Sequence, residues 1–184
     1  SINTVVLRVN FREIHELYRL ARFYGAKTRL SRFRPAGRAR EAWQEYHLTK
    51  QQILELSAYL SEYKDVLTGD SFFSITAEDR KNLGLNMCGA AKMTCCVAPD
   101  GSVYPCAFLQ ESYFYAGNVL EQPLEEIWRR AGSFNLLRSL KKEACTACPR
   151  FDLCHGGCPA VAFFLKQELD CPDPECIRQI SEQE

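Results

Sequence analysis

Cys145-Thr-Ala-Cys148-Pro-Arg-Phe-Asp-Leu-Cys154-His-Gly-Gly-Cys158 sets four cysteines at spacings of two, five and three residues. Thiolates so placed can reach one or two metal centres without a large fold around them. All ten cysteines of the 184-residue chain fall between Cys88 and Cys176. Such a density has two readings, a secreted disulfide scaffold or a metal-binding region. The N-terminus, Ser1-Ile-Asn-Thr-Val-Val6, lacks the charged and long apolar regions of a signal peptide. With the tight CxxC-type spacing, that favours metal. Upstream stand Cys88 and Cys106, and Cys176 follows Cys158 after 17 residues. Four thiolates satisfy an iron–sulfur cubane or a tetrahedral zinc ion, so the collection suffices for two centres, and spacing leaves both metals open. Gly156 and Gly157 let backbone N–H groups approach the sulfurs closely, which is one lever on a cluster's potential.

Outward from this stretch the chain changes character. Residues 1–87 hold no cysteine and carry 14 Lys/Arg against 10 Asp/Glu, whereas the remainder carries 9 against 13. That double shift predicts a boundary near Leu83–Asn86, with domains at 1–83 and 84–184. The net charge is zero, which offers no global attraction to nucleic acid or an anionic membrane. No apolar run is long enough to span a bilayer.

In the first part, Thr4-Val-Val-Leu-Arg8 reads as a buried strand. Asn10 with Glu13 reads as a capping box for a helix whose face is Ile14, Leu17, Tyr18, Ala21 and Tyr24, stopped at Gly25. Thr28 to Phe33 is a second strand, ended by Pro35 and Gly37. Thr49 with Gln52 opens a helix with Ile53, Leu56, Leu60 and Tyr63 inward, and Val66 to Phe73 supplies a third strand and its exit. Strand–helix alternation at this spacing implies parallel strands with crossover helices, and three strands cannot close a barrel alone. The second part contains a hairpin around Pro99-Asp-Gly101 and a helix opened by Pro123 with Leu124, Ile127 and Trp128. A further short helix, capped by Ser133, runs through Phe134, Leu137 and Leu140. Beyond Cys145 the chain reads as turn-rich, ordered by something other than apolar burial.

The pattern Cys88-x12-Gly101-x4-Cys106, then Cys145-x2-Cys148-x5-Cys154-x3-Cys158, then Cys176 resembles the seven-cysteine SPASM motif of radical SAM enzymes. Gly117-Asn-Val-Leu120 and Leu124-Glu-Glu-Ile-Trp128 match the linker between the two cysteine groups of such domains. Leu67-Thr-Gly-Asp-Ser-Phe-Phe73, Gly84-Leu-Asn-Met-Cys-Gly-Ala90 and Pro172-Asp-Pro-Glu-Cys176 are similar to the mycofactocin type of radical SAM peptide maturase. The resemblance implies an α/β fold: the later strands of a partial TIM-type barrel, then a small α+β cysteine-rich SPASM domain. It implies two auxiliary iron–sulfur clusters of the 4Fe–4S kind. Cys88, Cys95, Cys106 and Cys158 would hold the first, with an open site as the alternative to Cys95; Cys145, Cys148, Cys154 and Cys176 would hold the second.

The implied activity is SAM-dependent oxidative decarboxylation and crosslinking of a C-terminal Val-Tyr in a ribosomally made precursor peptide. A small peptide chaperone and an external electron donor would be partners, in the cytoplasm, with neither nucleic acid nor membrane. The CxxxCxxC motif that holds the SAM-cleaving cluster in such enzymes is not found in residues 1–87. The 184-residue chain alone is therefore expected to be inactive, SAM and a third 4Fe–4S cluster entering only with an N-terminal half. A non-catalytic electron-transfer or peptide-binding module and a zinc-stabilised interaction domain are the rival readings.

Several residues receive plainer readings. Arg29, Arg32, Arg34, Arg38 and Arg40 read as a solvated basic loop, with a barrel mouth facing an anionic group as the alternative. Asp70 reads as a turn or cap residue, and His155 as loop filling. Tyr113, Phe114 and Tyr115 read as packing residues. Cys96 reads as a buried small hydrophobe and Cys171 as a stray surface thiol.

Overall fold

β-Branched residues at the start of the chain form β1, Ile2–Val6, in which alternate residues face inward and only Val6 is fully buried. A computed structural model describes residues 1–63, 65–68 and 88–181. The strand begins two residues before the expected Thr4 and is half-exposed rather than buried, with Val5 facing out. It ends because Asn10 intercepts the backbone: its side chain accepts from the Leu7 N–H at 2.8 Å and donates to the Val5 carbonyl at 3.0 Å. Asn10 therefore does not cap the next helix as expected. A 3-10 turn over Phe11–Glu13 precedes α1, Ile14–Phe23, which ends near Gly25. Ile14 and Ala21 are its buried residues, and Tyr24, expected on the same face, is exposed.

The second strand, β2, is Thr28–Arg32, and a helix not foreseen in the sequence, α2, covers Ala39–Tyr46. Helix α3, Lys50–Glu62, starts at the anticipated capping box: Thr49 Oγ1 accepts from the Gln52 N–H, and Gln52 Oε1 accepts from the Thr49 N–H. The third strand, β3, is Leu67–Thr68. Asp70, the expected strand exit to Phe73 and the expected boundary at Leu83–Asn86 lie outside the described residues. The strands pair in the order β1-β2-β3, parallel throughout, as the crossover helices require. Val6, Ile14, Leu30, Ile53, Leu56, Leu60 and Val66 close a core between sheet and helices. Each such side chain contributes about 1.5–3 kcal/mol on burial.

The chain divides into two compact units, Ser1–Cys88 with Lys142–Glu184, and Gly89–Lys141. In the second unit β4, Cys96–Val97, and β5, Ser102–Tyr104, form the expected antiparallel hairpin. The Asp100 carboxylate ties its turn by accepting from the Ser102 N–H and hydroxyl, both at 3.0 Å. A third strand, β6, Gly117–Asn118, pairs with β5. Helices α4, Leu124–Arg130, and α5, Gly132–Ser139, bury Ile127, Phe134 and Leu137. Pro123 stands one residue before α4, and Ser133 lies inside α5 rather than capping it. Phe114 is fully buried, while Tyr113 and Tyr115 are exposed and do not serve as core.

The segment after Cys145 is more ordered than expected. A turn of helix α6, Phe151–Cys154, is followed by α7, Pro159–Lys166, with Pro159 at its start and Pro159, Ala160, Val161 and Ala162 buried. Apolar burial thus orders this region directly. Helix α8, Ile177–Ser181, follows Cys176. Arg40 of α2 places its guanidinium 4.7 Å from the Phe164 ring centroid of α7, so this arginine packs and is not merely solvated. No helix among the described residues is long and apolar enough to cross a membrane.

Candidate metal centre

Four thiols meet at one cavity within the first unit. Cys145, Cys148, Cys154 and Cys176 line it together with Phe151, Gly156, Gly157, Pro172, Asp173 and Arg178. A 3-10 turn, Glu143–Cys145, presents the first thiol; the turn after it brings Cys148, whose N–H donates to the Cys145 carbonyl at 3.0 Å. Helix α6 carries Cys154, and Cys176 sits just before α8. Among the described residues no three His, Cys, Asp or Glu side chains converge closely enough for a single metal ion.

Between Cys154 and Cys158 the backbone turns sharply. His155, Gly156 and Gly157 all have positive φ, at 51°, 82° and 83°. A Cβ on Gly156 would overlap the Lys142 stem, and one on Gly157 would overlap the Asp173 side chain. Only glycine fits both places. The N–H groups of Gly157 and Gln179 donate to the Cys154 and Cys176 carbonyls, each at 3.0 Å, and with the N–H groups of Gly156 and Arg178 they set a local positive field beside the two sulfurs. Burial pushes the thiols of Cys145, Cys154 and Cys176 up, partly offset at the latter two by these N–H groups. A metal must displace those protons to bind, and donors already beside the sulfurs then stabilise the thiolates. Thiol chemistry, glycine cradle and N–H donors together fit an iron–sulfur cluster.

The loop bearing Cys176 is held by an ion network that the sequence did not announce. Arg32, the last residue of β2, donates to Asp173 Oδ1 and Oδ2 at 3.0 and 2.7 Å, and to Glu175 Oε2 at 3.0 Å. The Arg32 and Asp173 side chains are 5% and 3% exposed. This corrects the solvated-loop reading for Arg32. Asp173 also accepts from the N–H of Cys158 at 2.9 Å and of Glu175 at 3.1 Å. The one signal for Asp173 was the string Pro172-Asp-Pro-Glu-Cys176, which drew notice for its resemblance alone.

The remaining expected ligands are distributed over both units, Cys88 and Cys158 in the first, Cys95 and Cys106 in the second. Cys95 and Cys96 follow a turn in which the Gly89 carbonyl accepts from the N–H groups of Lys92, Met93 and Thr94. Burial pushes the Cys95 thiol up, with neighbouring Cys96 adding to it. Cys96 itself is only half-buried, because it lies on the two-residue strand β4. Cys171 is half-buried, its thiol 3.8 Å from the Glu168 carbonyl, and it is not among the residues lining the cavity.

Comparison with known proteins agrees with this chemistry. Residues 88–149 match the SPASM family, described as an iron–sulfur cluster-binding domain. The chain is 40% identical to mycofactocin maturase MftC of Mycobacterium tuberculosis (strain CDC 1551 / Oshkosh) over 187 residues, covering 99% of this chain and 48% of that protein. PqqA peptide cyclase of Streptomyces rochei is 35% identical over 102 residues, 54% of this chain and 28% of the relative. The solved structure of native anSMEcpe with bound AdoMet and the Cp18Cys peptide superposes with a TM-score of 0.66 at 19% identity, covering 100% of this chain and 54% of that one. At that identity the likeness shows the fold alone.

The chain is thus a SPASM-bearing protein of mixed α/β fold, homologous to radical SAM peptide-modifying enzymes. Within that class it is homologous over nearly its whole length to the mycofactocin maturases. It spans about half the length of the curated relatives it matches.

Proposed function

We propose that this chain is the auxiliary-cluster-bearing part of a radical SAM maturase that modifies a ribosomally made peptide. Residues 1–83 would contribute later strands of a partial barrel, and 84–184 the SPASM domain. The observation that carries the reading is the convergence of Cys145, Cys148, Cys154 and Cys176 on one cavity. These four would hold one 4Fe–4S cluster, and Cys88, Cys95, Cys106 and Cys158 another. When bound, such clusters take up and release single electrons. The chain's own part is to supply thiolates, set backbone N–H groups beside them and keep the loop of Cys176 in place through Asp173 and Arg32. Homology to the mycofactocin maturases supports a precursor peptide as substrate. The finer reaction, oxidative decarboxylation and crosslinking of a C-terminal Val-Tyr, is proposed with it. A small peptide chaperone and an external electron donor would be partners, in the cytoplasm.

Anaerobic reconstitution tests the centre. The protein is expected to turn brown and to carry acid-labile sulfide with iron for two clusters. Stoichiometric zinc without sulfide would instead establish the zinc-stabilised interaction domain.

SAM cleavage tests the division of labour. The 184 residues contain no CxxxCxxC motif. Reconstituted alone with SAM and dithionite, they are expected to yield no 5′-deoxyadenosine by chromatography. Cleavage above a cluster-free control, abolished by Cys106→Ala or Cys158→Ala, would show that an auxiliary cluster is itself catalytic.

A further inference from the structure

Lys142 is 2% exposed, three residues before Cys145, in a place where a lysine is costly. Its Nζ donates to the Gly156 carbonyl at 3.0 Å, and Gly156 lines the four-thiol cavity. Its stem fills the space where Gly156 has no Cβ. Among the described residues no carboxylate is paired with this ammonium. A carbonyl supplies a dipole and no net charge. A buried ammonium without a compensating anion is unfavourable.

We infer that Lys142 is a fixed counter-charge for an anionic cluster held by Cys145, Cys148, Cys154 and Cys176, and that it sets that cluster's potential. This rests on the iron–sulfur reading proposed above. A cubane on four thiolates carries net negative charge, which gives the ammonium its missing partner. Reduction by dithionite adds one electron and one further negative charge to the cluster. A cation held nearby, where the dielectric is low, favours that reduced form and raises the midpoint potential. Lys142 touches no substrate in this scheme; it acts through the cluster.

The test is an EPR-monitored redox titration of the anaerobically reconstituted protein, with iron and sulfide measured on the same samples. Lys142→Met and Lys142→Gln are expected to move one cluster's midpoint to more negative potential, and Lys142→Arg to leave it near wild type. The shifted signal should be the one that disappears in Cys176→Ala. Neutral variants that keep both clusters at wild-type midpoints would overturn the inference. If the neutral variants shed that cluster, Lys142→Arg decides: retention there identifies charge as the cause, and loss there identifies the fit of the stem and overturns it. Wild-type protein without sulfide would fail the iron–sulfur reading itself, a distinct result.

Discussion

Cys176→Ala is expected to lose roughly half of the iron and sulfide of the reconstituted protein, the share of one of two clusters. Cys171→Ala, five residues away, is expected to lose none. The two thiols differ in setting rather than in chemistry. Cys176 lines the cavity with Cys145, Cys148 and Cys154, and its carbonyl accepts from the Gln179 N–H at 3.0 Å. Its loop is held by Asp173, whose carboxylate accepts the Glu175 N–H. Cys171 does not line the cavity, and its thiol sits 3.8 Å from the Glu168 carbonyl. Burial pushes both thiols up, so titration alone would not separate them. Iron and acid-labile sulfide per chain, measured after anaerobic desalting, separate them directly. Equal loss from both variants, or loss only at Cys171, would overturn the ligand assignment.

What was legible in the sequence follows from the range of each interaction. The parallel sheet could be read because its signals are local: a β-branched run, the Thr49–Gln52 box and strand–helix spacing all act within a few residues. The hairpin was local as well, written in Pro99-Asp-Gly101. Asn10 misled because an Asx side chain can serve either a helix start or the strand before it, and here it serves the strand. Helix α7 runs through a segment that reads as turn-rich, yet Pro159 and the apolar residues after it are a local helix start and a buried face. Helix α2 lacked such a signal, since its arginine-rich start resembles a loop and no side chain caps it. The second set of four thiols came from the resemblance, and the fold gathers those thiols around one cavity. The supports behind them could not be read at all. Arg32 and Asp173 are 141 residues apart, and nothing local in either segment names the other.

Asp173→Ala is expected to destabilise the protein by less than the roughly 3–5 kcal/mol of a buried charge left wholly unpaired, because Arg32 keeps Glu175. Arg32 would keep Glu175 as a partner but lose both of its bonds to Asp173. The N–H groups of Cys158 and Glu175 would lose their acceptor too. An unsatisfied buried donor adds about 1–3 kcal/mol wherever water cannot replace the lost carboxylate. For a domain of this size the sum corresponds to a Tm fall on the order of 10 °C. Asp173→Asn should fall between, since an amide oxygen still accepts one N–H while the charge is gone. A double-mutant cycle isolates the pair: Arg32→Leu takes the guanidinium from both carboxylates, Asp173→Leu takes one carboxylate from Arg32, and the double variant removes both members of one pair. The double variant is therefore expected to lose clearly less than the sum of the singles. Thermal unfolding of the metal-free and reconstituted protein, with iron retention recorded alongside, measures all four corners. Because Asp173 holds the Cys158 N–H and the loop of Cys176 at once, the singles should also release iron faster to a chelator than wild type. Additive losses below about 1 kcal/mol, with iron retention unchanged, would mean that the network is solvated and holds nothing in place.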